Sequence, residues 1–227
     1  MNSAQSSPAP ATSAVVFIVD DDVSVRESLE ALITFEGWRT ETFASAEAFL
    51  RRAPMHEPCC LILDVSLPDL NGLDLQKLIA ADRVEVPIIF ITGHGDIPMT
   101  VRAMKAGAIE FLTKPIDDEL LLSAVRNAIE RSETGLANEL ELYNLRSRWA
   151  SLTPREREVM ELVVSGLLNK QVGLKLGISE ITVKAHRGKV TEKMKADSVA
   201  DLVKMAVKLG IAPANNPWHV ARESDHV

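Results

Sequence analysis

Phe17–Asp22 reads FIVDDD, an apolar run that leads directly into three carboxylates. The apolar residues predict a buried strand, and the acidic triplet lies at its carboxyl end. Like charges this close together repel and raise one another's pKa, so the cluster is costly unless a cation lies among them. The stretch therefore predicts a buried strand with a cation site at its end.

The same alternation of strand and helix continues to about residue 122. The apolar runs are AVVFIVD, TETFA, CCLILD, VPIIFIT and AIEFLTKP, and a helical pattern follows each of them. Continuous apolar strands separated by amphipathic helices are typical of parallel sheets with both faces covered. We therefore expect an α/β fold with a doubly wound five-stranded parallel sheet, in which ligands bind at the carboxyl ends of the strands.

Four of these strands would place polar side chains at their carboxyl ends, which lie together at one edge of a parallel sheet. The strands lead into Asp20 and Asp21, into Asp64, into Thr92 and into Lys114. Carboxylates hold hard divalent cations and one of them can act as a nucleophile, whereas a hydroxyl and an ammonium can donate to phosphoryl oxygens. Taken singly, Thr92 and Lys114 also fit an exposed strand end and a surface charge. The ordered set predicts phosphoryl chemistry on Asp64.

In this order the motifs resemble those of bacterial response-regulator receiver domains, which have the CheY-like fold. The stretch ITGHGDIPMTVRAMKAGAIEFLTKP resembles the FixJ-type receivers. The resemblance implies that Asp64 accepts a phosphoryl group from a phosphohistidine of a sensor histidine kinase. It also implies that Mg²⁺ is held by Asp20, Asp21, Asp64 and the main-chain carbonyl of Ser66. The third acid, Asp22, would then lie in solvent or near the start of the next helix.

The resemblance also implies which residues respond to phosphorylation. Thr92 and Lys114 would bind phosphoryl oxygens, and the peptide bond after Lys114 would be cis. Phe111 would be the switch residue whose ring turns inward as Thr92 moves, although a plain core role fits a strand phenylalanine nearly as well. Ser66 and His94 occupy positions that influence how water reaches the acyl phosphate, and the sequence sets no lifetime for it.

The second half of the chain carries a different set of motifs. SLTPREREVMELVVSG opens with Thr153, Pro154 and Glu156 in a capping-box arrangement. NKQVGLKLGIS, EITVKAHRGKVTEKM and VADLVKMAVKLG follow. Between Leu152 and Gly210 these motifs resemble a LuxR-type helix-turn-helix, with Ser179 capping the recognition helix. The resemblance implies that this all-α domain binds promoter DNA and regulates transcription.

Helical geometry sorts the residues of the recognition helix into two faces. The predicted buried face carries Val183, Val190 and Met194, and the face predicted to enter the major groove carries Thr182, Lys184, Ala185, Gly188 and Lys189. We expect Lys184 to contact DNA, and Lys189 and Lys193 to contact phosphates or solvent. We expect His186 to be a packed residue rather than a metal ligand, because no second ligand cluster accompanies it.

A long polar helical pattern joins the two halves from residue 117 to about residue 148. Gly135 interrupts it at a cost of about 1 kcal/mol relative to Ala. Its apolar stripe fits either a short dimerising coil or a helix packed on one of the domains, and the sequence leaves both open. The predicted limits are a disordered N-terminus at 1–13, a receiver domain at 14–122, a helical linker at 123–149, the helix-turn-helix domain at 150–211 and a flexible tail at 212–227 with a contact by Trp218.

Composition is that of an ordinary globular protein, with 46% hydrophobic and 25% charged residues. The net charge of −7 is uneven, since residues 1–150 hold 13 Lys and Arg against 23 Asp and Glu, whereas residues 151–212 hold 11 against 7. The basic second part permits nucleic acid binding, and the acidic first part argues against it. The adjacent Cys59 and Cys60 suit core packing in a reducing compartment. With no signal peptide pattern and no apolar run that could span a bilayer, we expect a cytoplasmic protein without membrane contact.

These observations predict a response regulator that catalyses its own phosphotransfer and is not otherwise an enzyme. Phosphorylation would make it dimerise or open, and it would then bind promoter DNA, with RNA polymerase as a further candidate partner. FixJ-like receivers dimerise through the fourth helix and fifth strand, a surface that carries Val101, Lys105, Glu110 and Thr113 here. One alternative is a phosphorylation-independent transcription factor with a vestigial receiver, against which the complete acidic set argues. Another is an aspartyl-phosphate phosphatase, but such enzymes generally need an acid where this chain has Ser66.

Overall fold

The structure is a computed structural model and describes residues 14–53, 56–81, 86–93 and 95–211. The predictions for residues 1–13, for His94 and for residues 212–227, including Trp218, lie outside these ranges. The chain divides into two compact units between Ala137 and Asn138.

The first unit is an alternation of strands and helices, as predicted. Its elements are β1 (Val15–Val19), α1 (Val23–Phe35), β2 (Arg39–Phe43), α2 (Ala46–Leu50), β3 (Cys59–Asp64), α3 (Gly72–Ala81), β4 (Ile88–Thr92), α4 (Ile97–Lys105), β5 (Glu110–Thr113) and α5 (Asp118–Ala150), which continues into the second unit. The five strands form one parallel sheet in the order β2-β1-β3-β4-β5. The doubly wound α/β fold is therefore confirmed.

The sheet is covered on both faces because its three central strands are apolar except for Asp64 and Thr92 at their carboxyl ends. Every residue of β1, β3 and β4 is buried, whereas the edge strands β2 and β5 are partly exposed. On one face Phe17, Leu63 and Phe90 pack with α2 and α3. On the other face Ile18 and Ile62 pack with α1 and the first turns of α5. Cys59 and Cys60 are buried within these two clusters and unpaired, so the core role predicted for them is confirmed.

Helix α5 runs unbroken from Asp118 to Ala150, through Gly135. Its first turns belong to the core of the first unit, where Leu121 and Val125 are fully buried. Further along, the side chains of Leu140 and Tyr143 are exposed. The predicted apolar stripe is therefore a packed helix face over its first half.

Up to residue 211, the second unit contains the end of α5 and the helices α6 (Pro154–Val164), α7 (Asn169–Leu176), α8 (Glu180–Met194) and α9 (Val199–Lys208). Thr153 and Glu156 form the predicted capping box at the start of α6. Gly177 ends α7 in the left-handed conformation that favours glycine, with φ of 66°, and so allows the sharp turn into α8. Arg187 of α8 donates to the side chain of Asn169 at the start of α7, which links these two helices.

Two core clusters hold the second unit together. In one, Leu145 and Trp149 of α5 pack with Met160, Val190 and Met194. The second cluster consists of residues from α6, α7 and α8, among them Val159, Val163, Val172 and Val183. None of the described helices combines the length and the apolar character needed to cross a lipid bilayer.

Candidate functional site

The parallel sheet brings the predicted strand-end residues together at one edge. Asp64 is the last residue of β3, Asp20 directly follows β1, and Lys114 directly follows β5. The ammonium of Lys114 lies 2.6 Å from a carboxylate oxygen of Asp64 and 2.7 Å from one of Asp20. One cation thus bridges two carboxylates that are 44 residues apart in the sequence.

Three carboxylates surround this edge, and their burial differs. Asp20, Asp21 and Asp64 have ligand atoms that all lie within 4.8 Å of one another. Asp20 and Asp64 are buried, whereas Asp21 is exposed. Burial raises the pKa of Asp20, and this outweighs the hydrogen bond from Lys114 that lowers it. Burial alone would lower the pKa of Lys114, but its hydrogen bonds to Asp20 and Asp64 raise it.

The third acid of the triplet has a different role. Asp22 is exposed and is the N-cap of α1, where its carboxylate accepts a hydrogen bond of 2.8 Å from the main-chain N–H of Ser24. Its predicted place near the start of the next helix is confirmed. Sequence reasoning missed Arg26, which donates to the main-chain carbonyl of Asp20 over 2.6 Å. Its position could have predicted this contact, because Arg26 lies about one helical turn after the acidic triplet, on the helix that begins at the carboxyl ends of the strands.

The segment after β3 is held in a fixed position relative to Asp64. The main-chain N–H of Ser66 donates to the Asp64 carboxylate over 2.8 Å, and the side chain of Ser66 faces solvent. A Cβ atom on Gly72 would lie only 2.7 Å from the Asp64 carbonyl oxygen, so this close approach requires glycine. Asp69 accepts hydrogen bonds from the main-chain N–H groups of Ala46 and Glu47, which tie this segment to α2.

Thr92 and Phe111 lie at the other side of the edge, on β4 and β5. Thr92 is fully buried, and its main-chain carbonyl accepts a hydrogen bond of 2.8 Å from the N–H of Lys114. The Phe111 ring is half-buried and packs against Phe90, with ring centroids 6.2 Å apart. The peptide bond between Lys114 and Pro115 is cis, as predicted.

Next to this edge, α4 and β5 present an exposed surface, which we call the α4–β5 face. It carries the exposed apolar side chains of Ile97, Val101 and Met104 and the exposed polar residues Lys105, Glu110 and Thr113. The apolar side chains all belong to α4, and the oppositely charged Lys105 and Glu110 flank them. Such an arrangement is typical of a surface that associates with another protein.

Helix α8 has the two faces that its sequence predicts. Val183, Val190 and Met194 are buried, and Thr182, Lys184, Ala185, Gly188 and Lys189 are all exposed. Ser179 caps the helix by accepting from the N–H of Thr182, which confirms the predicted cap. His186 is half-buried on the same helix.

Lys193 forms an ion pair that its sequence pattern does not predict. Its ammonium lies 2.7 Å from the carboxylate of Glu156, and its side chain remains 34% exposed. It also donates to the main-chain carbonyl of Ser151 over 3.3 Å. A lysine on the C-terminal half of a polar helix looks solvated in the sequence, and only the packing of α8 on the start of α6 shows that it is bound.

Comparison with known proteins agrees with this division of the chain. Residues 16–126 match the family described as response regulator receiver domain, and residues 150–206 match the family described as bacterial regulatory proteins, luxR family. The first range extends from β1 into the first turns of α5, and the second from the end of α5 into α9.

Individual relatives match nearly the whole chain. Nodulation protein W of Bradyrhizobium diazoefficiens is 50% identical over 201 residues, which cover 88% of this chain and 88% of that protein. The transcriptional regulatory protein FixJ of Rhizobium meliloti is 41% identical over 203 residues, covering 89% of this chain and all of that protein. Among solved structures, that of the response regulator StyR is 43% identical, covers 87% of this chain and all of that chain, and superposes with a TM-score of 0.77. The chain therefore belongs to the two-component response regulators, with a receiver domain followed by a DNA-binding domain of the luxR family, and its function is the regulation of transcription.

Proposed function

We propose that Asp64 is the phosphoacceptor of this response regulator. A carboxylate oxygen of Asp64 would attack the phosphorus of a phosphohistidine on a sensor histidine kinase, forming an acyl phosphate as the bond between phosphorus and imidazole nitrogen breaks. The imidazole leaves with that electron pair. The observation that carries this proposal is the hydrogen bond of Lys114 to Asp64, because the same ammonium can pass from the carboxylate to the incoming phosphoryl oxygens.

The residues around Asp64 fit a magnesium ion. The ligand atoms of three carboxylates lie within 4.8 Å of one another, and such oxygens are the ligands that Mg²⁺ prefers, with waters completing its coordination. Asp20, Asp21, Asp64 and the main-chain carbonyl of Ser66 would hold it. When bound, Mg²⁺ offsets the negative charge that gathers on the phosphoryl oxygens and the carboxylates.

Thr92 and Lys114 would then hold the transferred group through its oxygens. Lys114 is fixed there by its two hydrogen bonds, and its ammonium stays charged because both acids raise its pKa. Thr92 lies at the end of the neighbouring strand. We propose that Thr92 moves toward the phosphoryl group and that the half-buried Phe111 ring turns inward, which would alter the α4–β5 face.

The change at the α4–β5 face would control association of two chains. We propose that phosphorylation favours a homodimer through this face, with opening of the chain as the other way to release the DNA-binding domain. The exposed Ile97, Val101 and Met104 support the first route. A dimer presents two recognition helices to two half-sites and so multiplies a modest affinity.

The target of the second unit would be promoter DNA in the cytoplasm, with RNA polymerase as a further partner. We propose that the exposed Thr182, Lys184, Ala185, Gly188 and Lys189 enter the major groove. The receiver would comprise residues 14–122, the linker 123–149 and the DNA-binding domain 150–211. The excess of basic residues after residue 150 supports this assignment, because phosphate contacts supply most of the affinity.

Incubation with acetyl phosphate and Mg²⁺, followed by mass measurement of the intact protein, tests the phosphoacceptor. The wild-type chain should gain one phosphoryl group only when Mg²⁺ is present, and Asp64→Asn should gain none. Asp22→Asn is the matched control, because Asp22 caps α1 and Asn preserves the cap. Labelling of Asp64→Asn at the wild-type rate would refute the assignment. A wild-type chain that takes up no phosphoryl group would instead favour a vestigial receiver, and one that releases phosphate repeatedly would favour a phosphatase.

A further inference from the structure

The large apolar side chain that α8 exposes belongs to a residue outside the predicted DNA-contacting set. Ile181, the second residue of α8, is 82% exposed. Val183 lies only two residues further on and is completely buried. At about 100° per residue, these two side chains lie on opposite sides of the helix. Ile181 therefore stands near the middle of the face that is turned away from the domain core.

The neighbours of Ile181 on this face are small. Ala185 and Gly188 follow it at spacings of four and seven residues, so the three form one stripe along the helix. Lys184 flanks the stripe on one side and Lys189 on the other, both exposed. Over the first half of α8 the centre of this face is thus apolar and formed by small side chains, with the two lysines on either side. The exposed Glu192, four residues after Gly188, ends the stripe toward the C-terminus of the helix.

At Gly188, nothing inside the domain explains why the side chains of this stripe are small. It lies in the interior of α8, and nothing lies within 4 Å of the position that a Cβ atom would occupy. Its φ is not in the left-handed region, so neither packing nor backbone conformation requires glycine there. Glycine destabilises a helix interior relative to alanine, and a feature that disfavours the helix without a packing reason points to a partner that approaches closely.

The geometry points to B-form DNA as that partner, and we propose that Ile181 is a specificity-determining residue that contacts the C5-methyl group of a thymine in the major groove. This inference rests on the proposed entry of α8 into that groove. The flanking lysines match the phosphates on either side, and the low stripe lets the helix approach the base edges. The thymine methyl is the one apolar group that the base edges present in the major groove. It is therefore the group that an exposed isoleucine side chain can recognise. Recognition helices contact bases mainly with their N-terminal residues, where Ile181 lies.

A methyl-deletion experiment tests this contact directly. The full-length chain is first used to select a duplex from a random pool. Each thymine of that duplex is then replaced in turn by uracil, which lacks only the methyl group. At one position in each half-site, the replacement should weaken binding by wild type about fourfold, the effect of losing one buried methyl group. Ile181→Ala should bind the thymine and uracil duplexes equally at that position. Leu174→Ala, which truncates a side chain 78% exposed on α7, is the matched control and should keep the wild-type preference for thymine.

Three results would overturn the inference. If wild type binds the selected duplex and every uracil duplex with equal affinity, the protein makes no contact with a thymine methyl group. If Ile181→Ala keeps the preference for thymine, the contact belongs to another residue. If that variant also fails to regulate transcription, Ile181 belongs to a protein interface. A chain that selects no duplex in either phosphorylation state overturns the proposed DNA binding together with this inference, and this result is distinct from the other two.

Discussion

The ammonium of Lys193 lies 2.7 Å from the carboxylate of Glu156, and this ion pair joins the recognition helix to the first turn of α6. The Glu156 side chain is only 3% exposed, and it also accepts a hydrogen bond of 2.9 Å from the main-chain N–H of Thr153. One carboxylate therefore completes a helix cap and holds α8 in position. Removing one member of such a pair leaves the other charge poorly compensated.

Replacement of Glu156 by glutamine should destabilise the second unit. Because Lys193 remains partly exposed, water compensates some of its charge, and we expect a loss of about 1 to 2 kcal/mol in the free energy of unfolding. Hydrogen exchange of the α6 and α8 amides, measured by mass spectrometry on the full-length chain, reports this unit separately. Glu158→Gln is the control, because Glu158 pairs with Arg155 at an exposed site and should cost little.

The Glu156 contribution should also depend on pH. The hydrogen bond from Lys193 lowers the pKa of Glu156 from its ordinary value of 4.5. A carboxyl whose pKa is lower in the folded state contributes stability that is present above the ordinary value and is lost as pH falls through the folded pKa. The difference between wild type and Glu156→Gln should therefore be constant near neutral pH and shrink below about pH 4.5. A difference that persists unchanged into strong acid would contradict the ion pair.

Lys184→Ala should weaken DNA binding by about 1 to 3 kcal/mol if its ammonium contacts a base edge, and discrimination at that base pair should relax. A phosphate contact would instead weaken all sequences alike and make the salt dependence shallower. Titration of cognate and mismatched duplexes at several salt concentrations separates these outcomes. Lys204→Ala on α9 removes the same charge away from α8 and serves as the control. A Lys184→Ala chain with unchanged affinity and salt dependence would remove Lys184 from the interface.

Asp21→Ala should weaken Mg²⁺ binding without unfolding the first unit. The substitution removes one oxygen ligand, but it also relieves repulsion among three clustered carboxylates, so stability should not fall. Calorimetric titration with Mg²⁺ gives the affinity, and thermal unfolding gives the stability. Asp22→Asn removes a neighbouring charge while keeping the helix cap, and it should retain most of the Mg²⁺ affinity. Identical titrations for Asp21→Ala and wild type would exclude Asp21 as a ligand.

Lys105→Glu should impair dimer formation without preventing phosphorylation. Lys105 is exposed on the α4–β5 face, whereas the phosphoacceptor edge is formed by other residues. Sedimentation of the full-length chain with and without beryllofluoride, a stable mimic of the phosphoryl group, should show a shift from monomer to dimer in wild type and a smaller shift in the variant. Lys77→Glu on α3 is the charge-matched control. If wild type stays monomeric in both conditions, release of the DNA-binding domain by opening becomes the better mechanism.

Gly188→Ala should have opposite effects on folding and on DNA binding. A methyl group there meets no other atom of the domain, so it should stabilise α8 by about 1 kcal/mol through helix propensity. The same methyl group would project into the surface that approaches DNA and should lower the affinity. Exchange protection of α8 and the dissociation constant for a selected duplex provide the two measurements. Higher affinity together with higher stability would show that the glycine has no role in close approach.

The sequence by itself determined the order of strands and helices and most of the candidate phosphorylation edge. Apolar runs that end in Asp20, Asp64, Thr92 and Lys114 are local patterns, and a parallel sheet brings the carboxyl ends of its strands to one edge whatever the details of packing. Helix caps such as Ser179 were predictable for the same reason, since the residues that make them are three positions apart.

Only the tertiary structure decided which polar groups meet across the chain. Lys114 could have paired with either acid, and its two hydrogen bonds to Asp20 and Asp64 follow from how far apart β1, β3 and β5 place those residues. Lys193 looks solvated in a polar helical pattern, and it is paired because α8 packs on the start of α6, where Glu156 lies. Ile181 is apolar but exposed, because the helices that pack on α8 cover the opposite face, where Val183 lies. Periodicity assigns a residue to a face of its own helix, but only the packing of other elements on that helix decides which face is covered.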